Sequence, residues 1–460
     1  MRRFILGGLL PMAVCTPAHP SPEALRDEEI RKILSDRVDS QAQSVGIVVG
    51  MIYPSGRRII AHGRRGRDDA RAVDGGTVFE VGSVTKVFTA LLLADMLARR
   101  EAALSDAAAV DLPAAAILPA RSGKTITLVD LATHTSGLPR LPDNLDPADP
   151  ANPYADYSVG QLYEFLARYE LTREIGAAYE YSNLGYGLLG HVLAMGAGAS
   201  YESLVRARIT SPLNMRSTAV ALSADMRDRA AVAHDATLEP VPYWDLPTLP
   251  GAGALRSTAD DLLNFLEAVL GFRHSPLAAA FAIMPDTRRP IDASDVETAL
   301  GWVVSRKGGD EIIWHNGGTG GHMAFVGYRP KTRTGIVVLA NAAAPAGFDD
   351  IGLHLLDAAL PLAEPKRPRK VAKVDPKLFD FYVGRYQLAP DFILTVTRRD
   401  NRLFAQATGQ VEAEIFPQGE KEFFYKVVDA QISFETEAGG RAFGLVLHQN
   451  GQHLSASRLD

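Results

Sequence analysis

Gly82-Ser83-Val84-Thr85-Lys86, continued by Val87-Phe88-Thr89-Ala90-Leu91-Leu92-Leu93-Ala94-Asp95-Met96, is the stretch on which this chain's reading turns. Val87, Phe88, Leu91, Leu92 and Met96 recur at the helical period, so residues 83–97 are expected to be helical. Residues three apart share a helix face, which brings the Ser83 hydroxyl and the Lys86 amine within reach of each other. The helix N-terminus favours negative charge developing on the serine oxygen. A serine hydroxyl is a poor nucleophile without a base beside it, and Lys86 stands where that base is needed. An S-x-x-K tetrapeptide alone is weak evidence, because a solvated helix start also explains it.

Two further motifs strengthen the case. Tyr181-Ser182-Asn183 precedes a helical pattern at 184–194. A phenol titrates near ~10 and serves as a base only if cations lower it, a role open to Lys86. Asn183 offers an amide to orient a substrate carbonyl or the lysine. His315-Asn316-Gly317-Gly318 ends an Ile-rich strand, where glycines let a substrate backbone lie close. The N–H groups of Gly318 and Ser83 are candidates for an oxyanion hole. Other candidates fail. Gly123-Lys124-Thr125 has Leu118 where a phosphate-binding loop needs glycine. There is no G-x-S-x-G elbow and no H-E-x-x-H, and the eleven histidines are scattered. His315 and His322 flank a Gly-rich turn without acidic or cysteine neighbours, a poor metal site. No cofactor and no metal is called for.

Outward from these motifs, residues 45–53 read as a buried strand, Pro54-Ser55-Gly56 as a turn and residues 57–62 as the hairpin partner. Helical patterns follow at 162–169, behind a capping signal from Ser158 and Gln161, and at 258–270. Strands return at 311–314, 322–329 and 335–340. Strands at both ends with helices between predict one α/β domain, its sheet closed by the two termini and a helical lobe inserted. Pro139, Pro142, Pro147, Pro150 and Pro153 mark a long loop, either a surface excursion or a cleft wall. Residues 364–376 read as a linker, with three prolines and many cations. Beyond it, alternation at 394–397, 432–435 and 443–447, with turn signals at Asp400-Asn401, Gly439-Gly440 and Asn450-Gly451, predicts a small antiparallel barrel of seven or eight strands.

S-x-x-K, then Y-x-N, then a basic-x-Gly strand, in this order, resembles the serine β-lactamase and penicillin-binding-protein superfamily. The tyrosine in the middle motif points to the class C branch with its DD-peptidase and esterase relatives. Supporting stretches are Leu131-Ala132-Thr133-His134-Thr135-Ser136-Gly137-Leu138-Pro139, residues 251–260, and Val338-Leu339-Ala340-Asn341. The C-terminal part resembles the lipocalin-like barrels appended to some members. The resemblance implies an α+β fold, an antiparallel sheet flanked by helices with a helical lobe. It divides the chain into a signal peptide at 1–18, a hydrolase domain at 25–363, a linker at 364–376 and a barrel at 377–460. It implies that Ser83 forms an acyl-enzyme and that Lys86 and Tyr181 share its proton. Asn183 then holds the acylamide side chain, and His315, Gly317, Gly318 and Asn341 complete the substrate and oxyanion contacts, Asn341 towards a carboxylate. His134 reads as a packing residue. The third motif usually begins with lysine in β-lactamases, and here it begins with His315. With a pKa near ~6.5, such a histidine predicts that carboxylate-bearing substrates gain on neutral esters as the pH falls.

Length and composition fit this division. The 460 residues suit two or three folding units, and 47% apolar with 22% charged residues is ordinary globular composition. A net charge of -6 argues against a nucleic-acid-coating surface, and no apolar run reaches the roughly 18 residues that span a bilayer. Arg2-Arg3, an apolar run at 4–14 and small Thr16 and Ala18 form a secretory signal pattern, which predicts a periplasmic or secreted enzyme. Cys15, the one cysteine, follows Val14, a poor context for a lipid anchor. The expected function is an exported serine hydrolase acting through an acyl-enzyme on β-lactams or D-alanyl peptides. The alternatives are a carboxylesterase of the same fold and a penicillin-binding sensor without turnover. The partner is a small-molecule or peptide substrate, and the sequence leaves the oligomeric state open.

Overall fold

The structure is a computed structural model. It describes residues 25–459 except 115, 292–294, 308–309, 345–346, 364–370, 390–391, 411, 427, 429 and 450–451. The expected signal segment with Cys15, and residues 364–370 of the expected linker, lie outside the described residues.

Among the described residues, the first sheet has eight strands: β1 Gly46–Tyr53, β2 Gly56–Gly63, β3 Arg289–Pro290, β4 Val296–Thr298, β5 Val303–Lys307, β6 Asp310–Gly318, β7 Met323–Arg329 and β8 Thr334–Ala340. Their order is β2-β1-β8-β7-β6-β5-β4-β3, every neighbour antiparallel. The first and last strands pair, Ile47 opposite Ala340 and Ile52 opposite Gly335, so the two ends of the domain close the sheet as its pattern predicts.

β1 and β8 read as unbroken apolar runs because both faces of the sheet are covered. Side chains alternate across a strand. Ile47, Val49 and Met51, with Ile336 and Val338, pack against α1 (Asp27–Ser35) and the C-terminal helix of the domain, through Ile30, Leu34 and Ile351. Val48 and Ile52, with Val337 and Leu339, face the larger core on the other side.

That core is built around α2 (Thr85–Ala98), whose residues 85–96 are all buried. The sequence expectation of a helix with one apolar side is too narrow: the helical lobe wraps α2 all round. It also starts later than expected. Gly82–Val84 form a turn of 3₁₀ helix that leads into it, so Ser83 precedes the α-helix. Helices α3 (Val159–Arg168), α4 (Asn183–Gly196) and α5 (Ala259–Val269) complete the lobe. Ser158 caps α3 by accepting from the Gln161 N–H at 3.2 Å, the reciprocal box its sequence announces.

Past residue 370 a short 3₁₀ helix, Pro376–Phe381, leads to a closed barrel of eight antiparallel strands, from Gly384–Ala389 to Gln452–Arg458. Leu394, Val396, Ile432, Phe434, Leu445 and Leu447 fill it, with Tyr382 stacked on Phe434. Simple alternation at 443–447 would put Phe443 on the face of Leu445 and Leu447, but it is 53% exposed. The pairing steps from Glu435 opposite Gly444 to Thr436 opposite Ala442, a bulge that leaves Phe443 outside the ladder.

Candidate active site

The site forms where the turn before α2 meets the end of β6 and the start of α4. Ser83 and Lys86 stand three residues apart across the join of the 3₁₀ turn and α2, which puts both side chains on one face. The Lys86 Nζ lies 2.9 Å from Ser83 Oγ, within hydrogen-bond distance, and donates to Asn183 Oδ1 at 2.9 Å and to the Ala252 carbonyl at 2.7 Å. It lies 4.9 Å from the Tyr181 ring centre. Lys86 is fully buried, Ser83 and Tyr181 partly so.

Backbone contacts hold this corner together. Gly82 has φ +48°, and a Cβ there would lie 2.7 Å from the Gly318 nitrogen. A Cβ on Gly317 would lie 2.0 Å from the Val81 carbonyl oxygen and 2.9 Å from the Ser83 nitrogen. Only glycines let β6 run this close to the serine turn, and the closeness brings the Gly318 and Ser83 backbones side by side. Ser182 caps α4, accepting from the Gly185 N–H at 2.8 Å and leaving Asn183 as the first helical residue. The Asn183 amide donates to the Tyr154 hydroxyl at 3.3 Å.

Burial sets the protonation states. It pushes the Lys86 amine well below its ordinary range, helped by the Arg140 charge. It pushes the Tyr181 phenol upward, against the lowering effects of Ser83 and Arg140. The expectation that Lys86 would lower the Tyr181 pKa is therefore not met: burial lowers the amine and raises the phenol. His134 stacks on Tyr181 with ring centres 4.5 Å apart, and its Nδ1 accepts from the Ser182 N–H at 3.0 Å. Burial holds it well below the ordinary histidine range, which suits the packing role expected of it.

Two sequence candidates sit differently from expectation. His315 is close to Tyr181, ring centres 6.5 Å apart, but burial and then the Lys86 charge push it down to about 4. Both effects oppose the titration near 6.5 that the sequence suggests. Asn341 is not part of the site. It is completely buried, its Oδ1 accepting from the Gly46 N–H at 2.6 Å and its amide donating to the carbonyls of Arg64 and Arg65 at 3.2 and 3.0 Å. It ties the end of β8 to the first hairpin. His322, the other histidine of the Gly-rich turn, is buried against Glu80, 3.2 Å from Oε2.

Sequence reasoning named none of Tyr154, Trp244 and Arg140, though it offered the Pro-rich loop as a cleft wall. The Pro-rich loop is a cleft wall: Tyr154 reaches Asn183, and Trp244 Nε1 donates to the Ala151 carbonyl at 3.0 Å while its ring lies 5.6 Å from Tyr154. Arg140 stands 5.2 Å from the Tyr181 ring centre. Its signal was adjacency, since it follows Leu138-Pro139 directly. No comparable signal marks Trp244, which reaches the site through tertiary contacts.

Two family models match the chain. One, described as Beta-lactamase, covers residues 30–360; the other, described as a domain of unknown function, covers residues 368–458. The D-alanyl-D-alanine-carboxypeptidase/endopeptidase AmpH of Escherichia coli (strain K12) is 26% identical over 380 residues, 79% of this chain and 97% of that protein. Penicillin-binding protein 4 of Amycolatopsis lactamdurans is 27% identical over 348 residues, 68% of this chain and 87% of that protein. The crystal structure of a beta-lactamase from Sulfitobacter sp. EE-36 matches with a TM-score of 0.63 at 25% identity, over 73% of this chain and 99% of that one.

Proposed function

Because the chain belongs to the beta-lactamase family, and so is a serine hydrolase, we propose that it is exported and works through an acyl-enzyme on β-lactams or D-alanyl peptide amides. The observation that carries this reading is the Lys86 amine, buried, 2.9 Å from Ser83 Oγ and held by Asn183 and the Ala252 carbonyl. A buried amine with lowered proton affinity is a competent base at neutral pH.

In the first step the Ser83 Oγ–H proton passes to Lys86 Nζ as Oγ attacks the substrate carbonyl. The carbonyl oxygen becomes an oxyanion, received by the Ser83 and Gly318 N–H groups, with the N-terminus of α2 behind Ser83. The C–N bond then breaks. Tyr181, a neutral phenol, gives its proton to the departing nitrogen and recovers one from Lys86. In the second half a water gives its proton to Lys86 by way of Tyr181 as it attacks the acyl carbon; the ester C–O bond then breaks, the acid leaves, and Lys86 returns the proton to Ser83 Oγ. Asn183 orients both Lys86 and the acyl side of the substrate, and the Tyr154–Trp244 wall bounds that side.

One observation favours the esterase alternative: a buried histidine, its pKa lowered by that burial, stands where β-lactam recognition calls for a fixed cation. Hydrolysis of nitrocefin, a p-nitrophenyl ester and a D-Ala-D-Ala peptide, measured side by side for wild type and Ser83→Ala, tests the proposal. Turnover of the lactam or the peptide that disappears in the variant supports it. Turnover of the ester alone supports the esterase. Lasting acylation without turnover points to a sensor.

A further inference from the structure

Glycines let β6 lie against the serine turn, but a glycine contact sets only the nearest approach and does not keep the strand there. The segment that carries Ser83 also carries Glu80, in the short strand Phe79–Glu80 that pairs with Arg256–Ser257. Glu80 is buried, and groups from three other segments converge on its carboxyl. Oε1 accepts from the Trp244 backbone N–H at 2.8 Å. Oε2 accepts from the Thr319 hydroxyl at 2.8 Å and lies 3.2 Å from His322 Nδ1. The Arg256 guanidinium stands 3.5 Å from Oε1.

Two of these contacts lead to the site. Thr319 follows Gly318, the oxyanion donor opposite Ser83, and organises the turn between β6 and β7. Its Oγ1 accepts from the N–H groups of Gly321 and His322 at 3.4 and 3.1 Å, which leaves its own proton for Glu80. Trp244 belongs to the cleft wall. A Cβ on Gly320 would lie 2.8 Å from its indole Nε1, so the wall rests on the same turn. A buried acceptor bonded to several segments at once fixes them relative to one another, because shifting one strands a polar group away from water.

We propose that Glu80 is a positioning residue of the reaction: it fixes the spacing between the Ser83 and Gly318 N–H groups and seats the Trp244 wall on the same tether. It acts through Thr319 and the turn, without touching substrate. This rests on the acyl-enzyme reading above, in which those two N–H groups receive the oxyanion. A misplacement of about 1 Å at a reacting centre costs on the order of 100-fold in rate. An interaction made only in the transition state is lost from kcat and leaves KM in place.

The test measures kcat and KM of the full chain on nitrocefin, the p-nitrophenyl ester and the D-Ala-D-Ala peptide. Wild type, Glu80→Gln, Thr319→Val, Thr319→Ser, the Glu80→Gln/Thr319→Val double variant and Ser83→Ala are compared. Thr319→Val removes the hydroxyl but spares the Trp244 bond. It should lower kcat by about 10- to 100-fold with KM within about threefold of wild type, and Thr319→Ser should restore most of the loss. Glu80→Gln should lower kcat by a similar factor, and the double variant should fall no further than the worse single one, since both cut the same tether. A lowered denaturation midpoint with unchanged kcat, a loss carried by KM alone, or losses that multiply in the double variant each overturn the proposal. Should Glu80→Gln not fold, Thr319→Val and its rescue decide on the same kcat and KM criteria. Hydrolysis that survives Ser83→Ala, or no hydrolysis of any of the three substrates by wild type, overturns the acyl-enzyme reading and this proposal with it.

Discussion

At the scale of single residues, the site works by withholding water. Lys86 and Tyr181 would be a cation and a phenol in solvent; burial lowers the proton affinity of the amine and keeps the phenol a proton donor. A lowered lysine pKa lets the base shed its proton at a lower pH than an exposed lysine would. Activity therefore persists as the pH falls and is lost only when the pH drops through that lowered value. The kcat/KM profile should show its acid limb well below the ordinary lysine range, with no alkaline loss from Tyr181 up to pH 10. An acid limb at an ordinary lysine pKa would contradict this. Lys86→Ala should lower kcat/KM by about 10²- to 10⁴-fold, the usual contribution of a positioned base. Asn341→Ala should act on stability, by roughly 1–3 kcal/mol for the buried groups it strands, seen as a shifted denaturation midpoint with acylation still present. Ser83, Lys86, Tyr181 and Asn183 were legible because each lies in a short motif whose spacing carries the geometry. Asn341 was misread, because burial is a property of the fold around a residue and leaves no mark on spacing.

At the scale of elements, the decisive junction is the 3₁₀ turn Gly82–Val84 with β6 laid against it. The helical period of residues 83–97 revealed α2 but neither its lead-in turn nor its complete burial, since a helix enclosed on all sides needs no polar face. Gly317→Ala tests the junction. Its Cβ would meet the Val81 carbonyl at 2.0 Å, so β6 must move away from Ser83. The variant should lose about 1–3 kcal/mol of stability, as overpacking does, and lose acylation rate even where it is still folded. A folded Gly317→Ala protein with wild-type acylation would refute the close approach. In the barrel, alternation told which residues face inward except at Phe443, where one extra residue in the ladder reverses the parity.

At the scale of the whole molecule, two bodies of core are separate among the described residues. The sheet and helical lobe share one set of clusters, and the barrel has its own. A bond that joins them is the half-buried pair Lys426–Asp235, 3.4 Å apart, at the base of the segment that carries Trp244 to the cleft. A pair of that kind contributes about 0.2–1 kcal/mol, too little to couple two domains into one transition. Calorimetry should resolve two unfolding steps, the barrel's shifting slightly in Lys426→Ala; a single cooperative step would argue for a tighter union. The two-body division was visible as a change from helical to alternating pattern near residue 370, whereas the contact between the bodies depends on surfaces that no local pattern encodes. The account as a whole stands on one serine. Intact-mass and peptide-mapping measurements on the full chain treated with a penicillin should find a single covalent adduct, on the peptide bearing Ser83, and none in Ser83→Ala. An adduct on another residue, or wild-type protein that stays unmodified while the substrate is consumed, would contradict it.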